Sequence, residues 1–366
     1  MKAPARYLPL YLKNLFATCA RLPTTPSNAW NISPSQATPR LQPSLWKHQM
    51  SSLAPQIGSD RHIEEETLPQ YDPEEFYPVR IGQTLDSRYN VIGKLGYGAN
   101  STVWFCRDLN TAQYVATKVY TRTPPGGTNC ALCVRPVLDI FELVRKNGDV
   151  HVCLIHPPLQ TTLFAFQRLG DRPAPLPEEV AKVCIRSLLE ALDFLHTKIG
   201  VTHCDIKLSN LMFQVEDESI FPDYEEAEKE SPSERKVINE ERSIYSSRRF
   251  RQPRAHAYGL PVLCDFGEAR IGSSHPWANI QPEVYRAPEI LMQFEHYDCA
   301  IDIWNLWNML EVDHLLDGTD EEGQHNNRLH MHEIVSLLSV PPFEFLRRSP
   351  QTWRFFDEFG IGLLPE

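Results

Sequence analysis

His203-Cys204-Asp205-Ile206-Lys207-Leu208-Ser209-Asn210-Leu211, followed further along by Val262-Leu263-Cys264-Asp265-Phe266-Gly267, is the part of this chain whose reading decides the fold. The first stretch sets a carboxylate (Asp205), an ammonium (Lys207) and a carboxamide (Asn210) on one short loop, and the second adds another carboxylate, Asp265. A carboxylate beside an attacking hydroxyl can take its proton. An ammonium two residues away can reach a phosphoryl group in flight. Asn210 and Asp265 offer oxygen ligands that suit magnesium, a hard cation. The combination implies phosphoryl transfer from a nucleotide.

Working outward, Leu95-Gly96-Tyr97-Gly98-Ala99-Asn100-Ser101-Thr102-Val103 lies between two runs of strand-forming residues. Gly96 and Gly98 let the backbone turn tightly and bring N–H groups close to phosphate oxygens. A glycine-bearing hairpin is an ordinary structural device, so the weight of this motif comes from its position before Val115-Ala116-Thr117-Lys118-Val119. Lys118 inside an apolar strand needs a partner, because a buried unpaired ammonium is costly. In a nucleotide site the partners would be the α- and β-phosphates, steadied by a carboxylate from a neighbouring helix.

Around these motifs the texture changes once. Tyr89–Leu95, Thr102–Cys106, Tyr114–Tyr120, Val137–Leu143 and His151–His156 are rich in β-branched and aromatic residues, and Lys146-Asn147-Gly148-Asp149 is a hairpin signal. They predict a small five-stranded antiparallel lobe. Pro177-Glu178-Glu179 then opens a helix whose apolar face is Val180, Cys184, Leu188, Leu192 and Leu195, closed by Lys198 and Gly200. Helices are also predicted around Ile301–Leu310 and Arg328–Leu338. The fold class is therefore α+β, with two lobes and a cleft between them.

The boundaries read as a leader over 1–59, an acidic linker over 60–79, a β-rich N-lobe over 80–160 and a helical C-lobe over 161–366. The C-lobe carries a charged surface insertion at 214–259, expected to be partly disordered, with Glu225-Glu226-Ala227-Glu228 acidic and Arg248-Arg249-Phe250-Arg251 basic. The leader has no Asp or Glu, several Lys and Arg, and many prolines. It fits either a mitochondrial transit peptide or a disordered extension. A net charge of −11 argues against a direct nucleic-acid binder and is compatible with a basic peptide substrate. The nine cysteines sit mostly beside apolar residues, which suits buried thiols in a reducing compartment. Cys130-x-x-Cys133 lacks the second pair that a zinc site needs. No apolar run approaches the roughly 20 residues that span a bilayer.

These motifs together resemble the eukaryotic protein-kinase superfamily, and within it the SR-protein kinases, particularly their fungal relatives. The finer likeness rests on Tyr77-Pro78-Val79-Arg80-Ile81-Gly82, Ser101-Thr102-Val103-Trp104 and Gly267-Glu268-Ala269-Arg270. Ile280-Gln281-Pro282-Glu283-Val284-Tyr285-Arg286-Ala287-Pro288-Glu289, Asp302-Ile303-Trp304-Asn305 and Asn326-Asn327-Arg328-Leu329-His330 add to it. The resemblance covers about 71–359. It implies transfer of the γ-phosphate of Mg-ATP to Ser or Thr of a protein substrate, rich in Arg-Ser dipeptides in that family, with a cytoplasmic or nuclear location. Asp205, Lys207 and Lys118 would be catalytic, and Asn210 and Asp265 would hold magnesium. Leu95, Gly96, Gly98, Val103, Ala116, Lys118 and Leu159 would hold the nucleotide, with His156 as gatekeeper and the Leu159 N–H meeting the purine edge. Cys204 replaces the arginine that in many kinases reads an activating phosphate, which implies that none is needed.

The chain also departs from the family. Between Lys118 and Asp139 there is no Asp or Glu, where the family places a helix glutamate that pairs with the lysine. By the same comparison the segment after Trp304 reads as shortened, and the C-lobe is expected to lack the family's further helices, which supply an arginine to Glu289. Two functions from different classes stay open on these grounds: an active Ser/Thr kinase, or a catalytically impaired nucleotide-binding or scaffold protein. A written sequence lacking coding segments would also produce these gaps.

Overall fold

The computed structural model describes residues 54–122, 135–253, 258–307 and 316–357, all within one compact unit. Residues 1–53 of the leader, Cys130, Cys133 and most of the segment between Lys118 and Asp139 lie outside the described residues, while the end of the leader is bound to the insertion by Ile57 N donating to Arg235 O at 2.9 Å. Six strands form one antiparallel sheet: β1 (Thr84–Leu85), β2 (Tyr89–Gly98), β3 (Ser101–Asp108), β4 (Tyr114–Tyr120), β5 (Asp139–Val144) and β6 (Val150–His156), in the order β1-β2-β3-β4-β6-β5. The sequence predicts five of these. The sixth, β1, is two residues long and holds the sheet edge only through Thr84 and Leu85 opposite Asn90 and Tyr89, too short to leave a periodicity.

Both faces of the sheet are covered, which is why Trp104, Phe105 and Cys106 are all buried although neighbours on a strand point opposite ways. Trp104, Cys106, Val115, Val119, Cys153 and Ile155 pack on the outer face with Val79, Leu85 and Tyr245. Phe105 and Ile92 pack on the other face with Ile220, Phe221, Tyr224 and Phe250, all from the insertion.

This is a correction to the reading of 60–79 as a linker and of 214–259 as a partly disordered surface loop. In the C-lobe the chain first forms α1 (Leu163–Phe166), α2 (Glu178–Asp193), β7 (Val201–Thr202) and β8 (Leu211–Phe213). The insertion then folds as α3 (Ile220–Glu230) and the hairpin β9 (Arg235–Val237) with β10 (Ser243–Tyr245), before β11 (Pro261–Leu263) resumes the lobe. Its acidic and basic runs, which look like two solvated faces, are halves of one network. Arg248 Nε reaches Glu228 Oε2 at 2.7 Å, and Arg251 bonds Asp223 at 2.6 Å and Asp217 at 3.1 Å. Glu225 accepts from Tyr114 Oη at 2.6 Å and pairs with Arg107 at 3.3 Å, tying α3 to the sheet. The acids of 64–66 are likewise engaged: Glu64 accepts from Ser247 N and Oγ, Glu65 pairs with Lys94, and Glu66 pairs with Lys236 at 2.9 Å.

The C-lobe begins as predicted. Cys184, Leu188 and Leu192 of α2 face the core, and a wider turn over Phe194–Ile199 ends at Gly200, whose φ of 68° makes the left-handed cap. After β12 (Arg270–Ile271) come α4 (Pro288–Leu291), α5 (Ala300–Trp307), α6 (Asn327–Leu338) and α7 (Phe343–Leu346). Leu291, Phe294, Met331, Ile334, Leu346 and Phe356 make their shared core. Six described cysteines are free thiols, five of them buried. Among the described residues no helix is long and apolar enough to cross a membrane.

Candidate active site

Two short antiparallel pairs build the floor of the cleft. β7 pairs with β12, and β8 with β11, so the loop after β7 and the turn after β11 are brought side by side. The Cys264 N–H donates to Asn210 O at 2.8 Å and closes the arrangement. Within the loop, Asn210 Nδ2 donates to both the carbonyl and Oδ2 of Asp205 at 2.8 Å, and Lys207 Nζ lies 2.9 Å from the same Oδ2. Asn210 thereby commits its donor to Asp205, and its Oδ1 keeps the lone pairs a hard cation takes. Burial pushes the Asp205 carboxyl above its ordinary range, with Lys207 and Asn210 pulling the other way.

The loop is held from behind by Asp302 of α5, which is fully buried. Its carboxylate accepts from His203 N at 2.7 Å and Cys204 N at 2.8 Å, and meets His196 Nε2 at 2.8 Å. The anchor fixes Cys204 at φ 67°, a left-handed conformation that a non-glycine residue adopts only under local constraint. His203 joins the two motifs. Its Nδ1 accepts from Asp205 N at 3.2 Å, so Nε2 carries the proton and donates to Cys264 O at 3.1 Å, while the ring abuts Phe266. Burial lowers the His203 pKa and keeps the ring neutral, as that tautomer requires. Neither Asp302 nor His203 stands out as functional in the sequence, where each is only one letter of a longer motif. A buried acid inside an otherwise apolar helix was the available signal for Asp302.

Across the cleft, strand register lines up the N-lobe residues. Gly96 is opposite Val103, and Val103 is opposite Lys118, so the three form one cross-strand row. Ala116, two residues from Lys118, shares its face and stands opposite His156. A Cβ at Gly96 or Gly98 would meet nothing within 4 Å, and neither residue has positive φ. The packing of the chain itself thus asks for no glycine there; the two positions leave room above the loop, as a phosphate approaching the backbone requires. Leu95 is half-buried beside them, and Leu159 is buried with its N–H meeting no backbone acceptor among the described residues. Burial pushes His156 down to about 3, and its Nδ1 meets Pro136 O at 3.0 Å.

Lys118 Nζ reaches Asp265 Oδ1 at 2.6 Å. Burial works against the lysine's charge, but Tyr120 and Asp265 together hold it above its ordinary value. Burial likewise works against Asp265, and Lys118 outweighs it, so the carboxyl sits below its ordinary range. The carboxylate that steadies Lys118 among the described residues is therefore not a helix glutamate but the aspartate of the second motif, itself strained at φ 63°. Cys204 is fully buried with Ile280, Ala287, Ile290, Tyr297 and Ile301. An apolar cluster thus fills the place of a phosphate-reading arginine and packs the segment leading to Glu289. Burial raises the Glu289 carboxyl, and the one arginine acting on it among the described residues is Arg348.

A β-rich lobe over a helical one, with a lysine row facing an Asp-Lys-Asn loop, defines a phosphotransferase of the two-lobed kind. The chain belongs to the protein kinase family: the family profile for the protein kinase domain matches residues 89–355. It is 36% identical over 345 residues to a serine/threonine protein kinase of Aspergillus fumigatus, covering 88% of this chain and 82% of that one. It is 25% identical over 346 residues to the serine/threonine-protein kinase SRPK of Physarum polycephalum, covering 81% of this chain and 78% of the relative. SRSF protein kinase 3 of Mus musculus is 32% identical over 210 residues, covering 52% of this chain and 35% of that protein. The serine/threonine class and the likeness to SR-protein kinases agree with the motifs read from the sequence.

Proposed function

We propose that this chain transfers the γ-phosphate of Mg-ATP to serine or threonine in basic, Arg-Ser-rich protein segments. The observation that carries this reading is the single hydrogen-bonded cluster of Asp205, Lys207 and Asn210, facing the Lys118–Asp265 pair. Bound Mg-ATP would supply the electrophilic phosphorus and the charge that neutralises the leaving group. In this reading Gly96, Gly98 and Lys118 receive the phosphates, and Val103, Ala116, Leu95 and Leu159 enclose the base. Asn210 Oδ1 and Asp265 hold the cation. Asp205 orients the substrate hydroxyl and takes its proton, and Lys207, already beside Asp205, is within reach of the transferred group. Similarity to SRSF protein kinase 3 and the acidic balance of the chain support a basic substrate.

A second reading, a nucleotide-binding protein with impaired catalysis, is favoured by one observation. Asp265 serves both as the partner of Lys118 and as a cation ligand, so the two roles compete unless another acid relieves it. The test is transfer of radiolabelled phosphate from ATP to an Arg-Ser-repeat peptide, with Asp205→Ala as control. Transfer that disappears in the variant is expected. A folded wild-type chain that binds MgATP yet transfers nothing would sink the kinase reading in favour of the second.

A further inference from the structure

The phosphate loop springs from a strand whose ladder is interrupted at its root. In β2 the register against β3 shifts between Val91 and Gly93 and again between Lys94 and Gly96, so ordinary strand pairing does not fix the angle at which Gly96–Gly98 leaves the sheet. Other segments grip the strand at that point. The Lys94 carbonyl accepts from Arg248 N at 2.9 Å and from Tyr224 Oη at 3.2 Å. A Cβ on Gly93 would fall 2.5 Å from that same hydroxyl, so the ring is seated directly on the strand. On the other side the Lys94 ammonium, fully buried, pairs with Glu65 and lies 3.5 Å from Glu64. A buried ammonium is tolerated only with such partners, so Lys94 fastens the strand to the Glu64–Thr67 turn.

The same turn reaches the loop itself. The Tyr97 ring, between the two glycines, lies 5.2 Å from Lys94 Nζ, and its hydroxyl is 3.4 Å from Thr67 Oγ1. Thr67 Oγ1 in turn donates to Glu64 O at 2.7 Å. We propose that the Glu64–Thr67 turn is a positioning element that sets the pitch of the phosphate loop, acting through Lys94 and Tyr97 on how tightly the nucleotide phosphates are held. The inference rests on the reading of Gly96–Gly98 as the nucleotide loop.

Two changes in the full-length chain test it. Tyr97→Ala removes an exposed ring and leaves the core intact. The pair Lys94→Met with Glu65→Gln removes the ion pair, and the Glu64 carboxylate that loses its cation keeps the two Ser247 donors. MgATP affinity is measured by calorimetry, alongside the KM for ATP and for an Arg-Ser peptide and the thermal midpoint of each variant. Each change is expected to weaken MgATP about 3- to 10-fold while the peptide KM stays within about twofold, as misplacement of one binding group would do. If the wild type binds MgATP and both variants bind it equally well, whatever their midpoints, the turn is scaffolding only and the inference falls while the nucleotide reading stands. If the wild type binds no MgATP, the nucleotide reading fails and this inference fails with it.

Discussion

Asp205 stands in an environment that sets the pH at which it can act. As the proton acceptor proposed above it must be ionised, and burial raises its pKa above the ordinary aspartate value of about 3.9. Activity is therefore expected above that raised pKa and is expected to be lost as the pH falls through it. Lys207, by its charge and hydrogen bond, draws the pKa back down. Replacing it by methionine is expected to move the acid limb of the kcat–pH profile of the residual activity upward. A limb that stays put or moves to lower pH would mean another group governs it. The residues of this site were legible because their chemistry is concentrated in two short motifs. What could not be read was that Lys118 would find its carboxylate in Asp265, from the other lobe, since no spacing rule joins positions so far apart in the chain.

At the scale of elements, α5 holds the Asp205 loop from within the same lobe. Asp302 satisfies two backbone N–H groups that would otherwise be buried without acceptors, each worth about 1–3 kcal/mol. Asp302→Ala should lower unfolding stability by roughly 2–5 kcal/mol and abolish turnover, as urea titration and an activity assay would report. A loss below about 0.5 kcal/mol would mean the loop holds its shape unaided. The strands show where sequence reading succeeds. Tyr114–Tyr120 is predicted with its observed bounds because alternating β-branched residues write their periodicity plainly. The helix α3 shows where it fails. Ile220, Phe221 and Tyr224 are its only large apolar residues facing the sheet, and the acids around them dominate any composition window.

For the molecule as a whole, the insertion and the 60–79 segment act as a second layer on the N-lobe. Phe221 lies 5.7 Å from Phe105, 5.6 Å from Tyr114 and 5.6 Å from Phe250, ring centre to ring centre. Phe221→Ala should cost about 3–5 kcal/mol. Glu226→Ala, which removes one exposed pairing with Lys229, should change stability by less than about 0.5 kcal/mol. Thermal unfolding of the two variants side by side checks both figures, and a Phe221 cost under about 1 kcal/mol would mean α3 merely rests on the surface. The charge runs that suggested a loose loop were misleading for a physical reason: Glu228, Arg251 and Glu66 find partners 20 or more residues distant, and a run of one sign looks solvated until such counter-ions are known.

The placement of the insertion between β8 and β11 bears on how the protein is made. The sheet is complete once His156 has been synthesised, but the residues that cover Ile92, Phe105 and Tyr114 emerge only with Ile220 through Phe250. On a ribosome working at about 5–20 residues per second, that apolar face would wait roughly 5–20 s for its cover. The first lobe to be translated thus stays unfinished until the second is well under way, and it depends on the second for its completion. Such a chain matures as one long-range unit rather than lobe by lobe, and its nascent form is a natural client for a chaperone that shields aromatic surface.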